Sequence, residues 1–444
     1  MKRRDFLKNS VFLSLGGMLL PSVLFSSCRK NKIFDDLNYS GKVIIVGAGA
    51  AGLYAGYILK SKNIDFTILE ASVTHGGRLG KFTGFTDYEL DTGAQWLHGS
   101  NSIVGELVRY NKVEITKDDS EMSYWFGNRL EDKLPSDPFI FDADGLPDIS
   151  YKEYAHQQGF GAEYDNIIEA IAGDQGASAS LISAYGNHKD EENWVSGDDD
   201  FKFKGTYFDL INDFIASNIL THIQYSTQVN SIDYSGQKVI LKTADGKNIE
   251  ADKVIITVPV SILKSDDIQF IPSLPDNKSK AFASIGMGPG MKVFLKFSEK
   301  FYRQNLYGGT VCAAYIDDAI GKSTSSNVLL AFVMGDQASS LSALGSHETI
   351  TNKLLQELDL IYDGSASRLF IASKVFDYSS SPFIKGAYSY SEIGMGNARA
   401  IAAQSVNNKL FFAGEAMNTN GHHQTVHGAV ETGYIAVMEM LNNI

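Results

Sequence analysis

Gly47, Gly49 and Gly52 follow a β-branched run, Val43–Val46, at the spacing G-x-G-x-x-G, and Glu70 stands further along the chain. That set can hold a dinucleotide. Gly47 permits a tight turn and Gly49 lets backbone approach a pyrophosphate. Gly52, next to the small Ala51, lets a helix start close against the strand, with its free N–H groups toward the phosphates. A carboxylate at Glu70 grips ribose hydroxyls and disfavours a 2′-phosphate. A second group lies near the other end, where Asn420–Gly433 reads NGHHQTVHGAVETG. His423, His427 and Glu431 fall four apart, so a helix running through all three would stack three metal-ligand types on one face.

The elements that must position these groups follow from the same pattern. Val43–Val46 reads as a buried parallel strand, Ala50 to Leu59 as a helix, and Phe66 to Leu69 as a second strand ending at Glu70. Lys238–Thr243 alternates, Asp245-Gly246 marks a turn, and Val254–Val258 is a buried run, giving a β-meander that feeds a core strand. Lys292 opens a strand with one well-buried face, after the Gly288-Pro289-Gly290 loop. Leu410–Ala413 is another buried strand. From Thr425 onward, apolar or small residues recur at i, i+3/i+4 spacing, which predicts a helix. Between these, SGDDDF (Ser196–Phe201) reads as a solvated acidic loop.

With 444 residues, 44% apolar and 20% charged, the chain can form two domains with a sizeable core. A formal net charge of -13 argues against nucleic acid as a partner and is compatible with a cationic ligand.

Several stretches resemble the FAD-dependent amine oxidases, a family that includes polyamine oxidases, monoamine oxidases and histone lysine demethylases. HGGRLGKF places Gly76, Gly77 and Arg78 just after Glu70. This resembles the family's second fingerprint, E-A-R-x-R-x-G-G-R, with Ser72 and Thr74 in place of the intermediate arginines. Arg78 beside that turn can neutralise a pyrophosphate. DTGAQWLHG (Asp91–Gly99) is similar to the family's D-x-G-A-x-W-x-H-G. The resemblance implies that Gly93, Ala94, Gln95 and Trp96 pass the flavin ring and that His98 faces substrate. It further implies that Lys292 holds a water next to flavin N5, and that Val229 contacts adenine through its backbone. Gly414 and Glu415 would stand near the ribityl-phosphate chain. In FDYSSSPFIKGAYSY, Tyr378 takes the usual Trp slot and Tyr388 one wall of an aromatic cage around the amine. Tyr302 replaces another usual Trp. Ala387 stands where monoamine oxidases carry the cysteine that bonds FAD, so the implied FAD is non-covalent.

The resemblance also bears on the histidines. TVHGA is similar to the polyamine oxidase wording, and there the helix begins near Thr425, with Thr425 and Val426 nearest the flavin. His423 then lies in the preceding turn and the metal-ligand face is lost, so no metal is expected.

The fold expected is α/β: a doubly wound, Rossmann-like FAD-binding domain from residues 41–100, 220–285 and 400–444, with a mixed α/β substrate domain from 101–219 and 286–399. The activity implied is of the polyamine oxidase type. Hydride passes from the carbon next to a neutral amine to flavin N5, the imine hydrolyses to aldehyde and amine, and O2 returns as hydrogen peroxide. Two other readings stand beside it, an L-amino-acid oxidase and a flavin-bound lipoprotein subunit without oxidase activity.

The N-terminus carries its own signal. Arg3 and Arg4, followed by Asp5, Phe6, Leu7 and Lys8, resemble the twin-arginine export motif, and LFSSC, ending at Cys28, resembles a lipoprotein cleavage box. Residues 1–27 are then a signal peptide and 28–40 a tether. The protein is expected to be exported with its cofactor loaded, as a periplasmic or membrane-anchored lipoprotein. Cys312, the only other cysteine, would have no intrachain partner.

Overall fold

The computed structural model describes residues 39–138 and 147–442. The signal peptide, Cys28 and nearly all of the tether lie outside the described residues. Among the described residues no helix is long and apolar enough to cross a membrane.

Val43–Val46 is the middle of a five-stranded parallel sheet. Its order is Ile223–Gln224, Phe66–Leu69, Val43–Val46, Lys253–Ile256, Leu410–Phe412. All four residues of the middle strand are buried because both faces are covered. Side chains alternate across it. Val43 and Ile45 pack with the helices Ala50–Ser61 and Val426–Asn442, whereas Ile44 and Val46 pack with the neighbouring antiparallel strands Val239–Thr243 and Asn248–Ala251 and the helix Asp276–Ser284. Each strand of the sheet therefore delivers its last residues to one edge, above which the first helix begins.

The first of these two cores also takes in Ile103–Val108 and Phe203–Ile219, stretches that the sequence pattern assigned to the substrate domain. Both supply apolar helix faces, such as Tyr207, Leu210 and Ile211, which are buried there. The strand Trp96–His98 likewise pairs with Asp200–Phe203, which pairs with Ile115–Lys117.

The second lobe is built on a seven-stranded sheet. Its order is Phe370–Asp377, Gly290–Phe297, Asn327–Met334, Ala314–Asp317, Asn305–Tyr307, Met122–Phe126, Arg129–Glu131. Gly290–Phe297 is buried on both faces rather than one, since a separate core packs against each face of its sheet. Met291, Val293, Leu295 and Phe297 enter one core. Lys292 and Phe294 lie on the other face, toward the first lobe.

Ser196–Phe201 is only in part the solvated loop expected, with Asp198 exposed. Ser196 is fully buried, and Asp200 and Phe201 belong to a strand.

Candidate active site

A cavity of about 770 Å³ runs between the lobes, from the Gly47–Ala51 turn past Glu70 and Arg78 to Trp96, Lys292 and Tyr388. At its first end the glycines divide the work. A Cβ on Gly52 would run into the Gly47 carbonyl oxygen, so Gly52 is required by the chain itself. A Cβ on Gly49 would meet nothing within 4 Å, so Gly49 is open toward the cavity. Gly77 lies just across, its Cβ position 3.5 Å from Gly49 Cα. Glu70 is held at the wall: Oε2 accepts the Ala48 N–H at 2.7 Å and Oε1 the Ser72 N–H at 2.8 Å. Val229 lines the same end. An open glycine turn at a helix N-terminus, facing a fixed carboxylate, fits the pyrophosphate and ribose of a dinucleotide.

Arg78 is engaged differently from the expectation. Its Nη1 donates to the Ala387 carbonyl at 2.6 Å and to Glu415 Oε1 at 2.9 Å. Glu415 is buried and needs that cation. It also accepts Ser389 Oγ at 2.7 Å and the Gln424 N–H at 2.9 Å. Burial alone would raise its pKa, but Arg78, Arg399, Ser389 and Gln424 together hold it below the usual range. Gly414, just before it, lines the cavity.

Gly93 packs more tightly than contact with a flat ring would require. A Cβ there would strike the Arg78 carbonyl and stand 2.8 Å from the Tyr378 hydroxyl. Ala94 donates its N–H to the same carbonyl at 3.1 Å. Tyr378 is half-buried, with its hydroxyl 3.4 Å from Thr92 Oγ1.

Lys292 is 4% exposed. Its Nζ donates to the Asp91 carbonyl at 3.0 Å and to Gln95 Oε1. Burial pushes its pKa down, with the charges of Asp318 and Asp91 opposing. Trp96 lies with its ring centroid 5.7 Å from Nζ and is anchored by Nε1 donating to Asp118 Oδ2 at 2.8 Å. His98 lines the cavity with Nδ1 2.8 Å from Asp200 Oδ1. Tyr388 presents its ring to the cavity while its hydroxyl donates to the Gly173 carbonyl at 2.9 Å.

Two features escaped the sequence reading. Gln95, expected at the cofactor, lines the cavity and also holds Lys292. A wall of Asn187, Asp190 and Glu191 reaches the cavity from the helix Ala184–Glu192. The i, i+3, i+4 spacing of those three was legible, but the helix has no apolar stripe to show which face turns inward.

The last helix begins at Val426, and Thr425 Oγ1 caps it by accepting the Gly428 N–H at 2.9 Å. Thr425 and Val426 line the cavity. His423 lies before the helix. His422 Nδ1 contacts both Glu431 oxygens, at 3.0 and 2.9 Å, and the Nε2 atoms of His422 and His427 meet Ser196 Oγ at 3.1 and 3.2 Å. Trp194 packs edge-on against both rings. The histidines thus tie the last helix to the Trp194–Ser196 segment. No group of three or more His, Cys, Asp or Glu among the described residues is arranged to hold a metal ion.

Residues 196–441 match the flavin containing amine oxidoreductase family, and residues 45–110 match an NAD(P)-binding Rossmann-like domain. The chain belongs to the flavin containing amine oxidoreductase family. Its fold is the α/β one of a Rossmann-like domain with a mixed substrate domain. Human "Lysine-specific histone demethylase 2" is 26% identical over 469 residues, 95% of this chain but 56% of that protein, so the chain spans about half of that relative's length. "Probable polyamine oxidase 4" of Arabidopsis thaliana is 25% identical over 446 residues, 90% of this chain and 86% of that one. Among solved structures, putrescine oxidase bound to putrescine superposes with a TM-score of 0.76 at 20% identity, covering 91% of this chain and 99% of that one. Cyclohexylamine oxidase from Brevibacterium oxydans gives 0.75 at 18%, with the same coverage.

Proposed function

We propose that this oxidoreductase oxidises a cationic diamine or polyamine, using non-covalently bound FAD and O2. The observation that carries the substrate class is the wall beyond Lys292. There Asp174, Asp190 and Glu191 join the aromatic faces of Trp96, Phe332 and Tyr388. Carboxylates and π-faces both favour an organic cation. Arginine is the usual clamp for a substrate carboxylate, and the only arginine lining the cavity among the described residues is Arg78, which is paired with Glu415; of the lining lysines, Lys81 is paired with Glu89 and Asp209.

Gly49, Gly77 and the first-helix N-terminus would hold the pyrophosphate, Glu70 the ribose, Val229 the adenine, and Gly93, Ala94, Thr425 and Val426 the flavin. FAD, when bound, supplies a two-electron acceptor that O2 restores, and the oxidised amine leaves as an imine that water converts to aldehyde and released amine. Ala387 offers no thiol, which supports a non-covalent cofactor. The chain's own residues orient and desolvate. The Trp96 and Tyr388 faces align the carbon next to nitrogen. His98, with Nδ1 engaged by Asp200, keeps Nε2 for the amine. Lys292 holds a proton at Nζ beside the reacting centre.

Hydrogen peroxide release across diamines, polyamines, monoamines and amino acids tests the reading. Turnover is expected to be fastest with a diamine or polyamine. Turnover of L-amino acids alone would overturn it. Export through Arg3 and Arg4, with Cys28 as lipid anchor, belongs to the same proposal. Labelled palmitate is expected on the wild-type chain and absent from Cys28→Ala, and equal labelling of both would refute the anchor.

A further inference from the structure

We propose that Asp318, acting through the Gln95 side-chain amide, is a positioning residue that fixes how Lys292 presents its Nζ to the cavity. Gln95 has one acceptor oxygen and one donor nitrogen. Nε2 donates to Asp318 Oδ1 at 3.4 Å, which turns Oε1 onto Lys292 Nζ. The opposite amide orientation would set NH2 against an ammonium and oxygen against a carboxylate, so the two charges select one orientation between them. Asp318 is clamped in turn, because the Tyr88 hydroxyl donates to its Oδ2 at 2.9 Å. All of Asp91, Gln95, Lys292 and Asp318 are at most 6% exposed, so the interactions run in a dry, weakly screened setting.

The consequence lies in the geometry at Nζ. Asp91 O and Gln95 Oε1 take two of its donors, and Lys292 lines the cavity. The remaining direction carries an N–H when Lys292 is an ammonium and a lone pair when it is an amine. Asp318 therefore sets the pH at which the group facing the reaction changes from donor to acceptor. The charges around Lys292 are those of Asp91 and Asp318, which favour its proton, and Lys202, which opposes it along with burial. Lys322 acts on this set through Asp91. The Tyr88 hydroxyl donates to Asp318 and the Tyr207 backbone N–H to Asp91, and burial raises both phenols well above their ordinary value.

This inference rests on the role proposed for Lys292. Its test is the pH dependence of the anaerobic flavin-bleaching rate of holoenzyme with a diamine, in wild type, Asp318→Asn, Gln95→Glu and Lys292→Met. The relevant inflection is the one that Lys292→Met abolishes. Asp318→Asn is expected to move it down by about one pH unit, and Gln95→Glu, which puts a carboxylate directly on Nζ, to move it up by a similar amount. The opposite signs separate positioning from mere loss of structure, and either variant alone decides the direction if the other fails to fold. Inflections unmoved in the folded variants, with rates lowered equally at every pH, would overturn the proposal. A Lys292→Met enzyme with wild-type rate and pH profile would instead overturn the underlying role of Lys292.

Discussion

Two of the lysines buried among the described residues, Lys278 and Lys292, are buried for opposite ends. Lys278 is 2% exposed in the cofactor lobe, where its Nζ donates to the carbonyls of Ile401, Ala402 and Gln404 at the end of the helix Ala398–Ala403 and lies 3.8 Å from the Phe412 ring centroid. It caps that helix with a cation and faces nothing but the core. Lys292 is as deeply buried, yet only two protein acceptors engage it, and the cavity takes its remaining side. Burial lowers the pKa of both. A buried, perturbed lysine is thus no mark of a reaction by itself. The mark is a donor set left incomplete by the protein, at the wall of a cavity.

Breaking the cavity lysine should have the largest effect on rate. Lys292→Met is expected to slow anaerobic flavin reduction by about 10²-fold or more per folded molecule, and also to cost about 1–3 kcal/mol of stability for the buried acceptors it leaves unpaired. Stopped-flow absorbance and a thermal melt check the two halves. Lys278→Met should lower stability alone. Unsatisfied carbonyls at the helix end are expected to cost about 2–4 kcal/mol of stability, read by denaturant unfolding, with the reduction rate per folded molecule unchanged.

The same contrast divides the glycine turn. Gly49→Ala adds a methyl that no protein atom opposes, so the chain should fold as in wild type and lose about 10-fold in FAD affinity. Gly52→Ala meets the Gly47 carbonyl and should lower stability as well. Equal unfolding midpoints for the two variants would contradict that division. The smallest effect is expected at the histidine knot. Ser196→Ala removes one hydroxyl that serves both His422 and His427, at a cost of about 1–2 kcal/mol in the melt and with little change in substrate oxidation.

The cofactor lobe was legible in the sequence because its signals are local. The strand Val43–Val46, the glycines and the helix behind them lie within one short stretch, and each residue type answers to the backbone beside it. Lys292 could be singled out from its resemblance, but its partners could not. Gln95 lies 197 positions away from it, Asp91 201, and Asp318 stands 223 from Gln95. The pairing of those four is a property of how two lobes meet, and no periodicity encodes it. The histidines show the converse error that spacing invites. Their i, i+4 intervals suggested a metal face, but the helix starts after His423, and the rings serve Ser196, 226 and 231 positions away. Ser196 itself sat in a run whose acidity suggested solvent. The helix Ala184–Glu192 was opaque for a related reason: its inward face is polar because it lines a cavity, not a core.

The most direct measurement is the absorbance of the purified flavoprotein during anaerobic addition of a diamine, followed by oxygen. The account predicts full bleaching of the oxidised flavin band, then its return on aeration with one hydrogen peroxide per flavin. A flavin that stays oxidised with every diamine, polyamine and monoamine tried would contradict it.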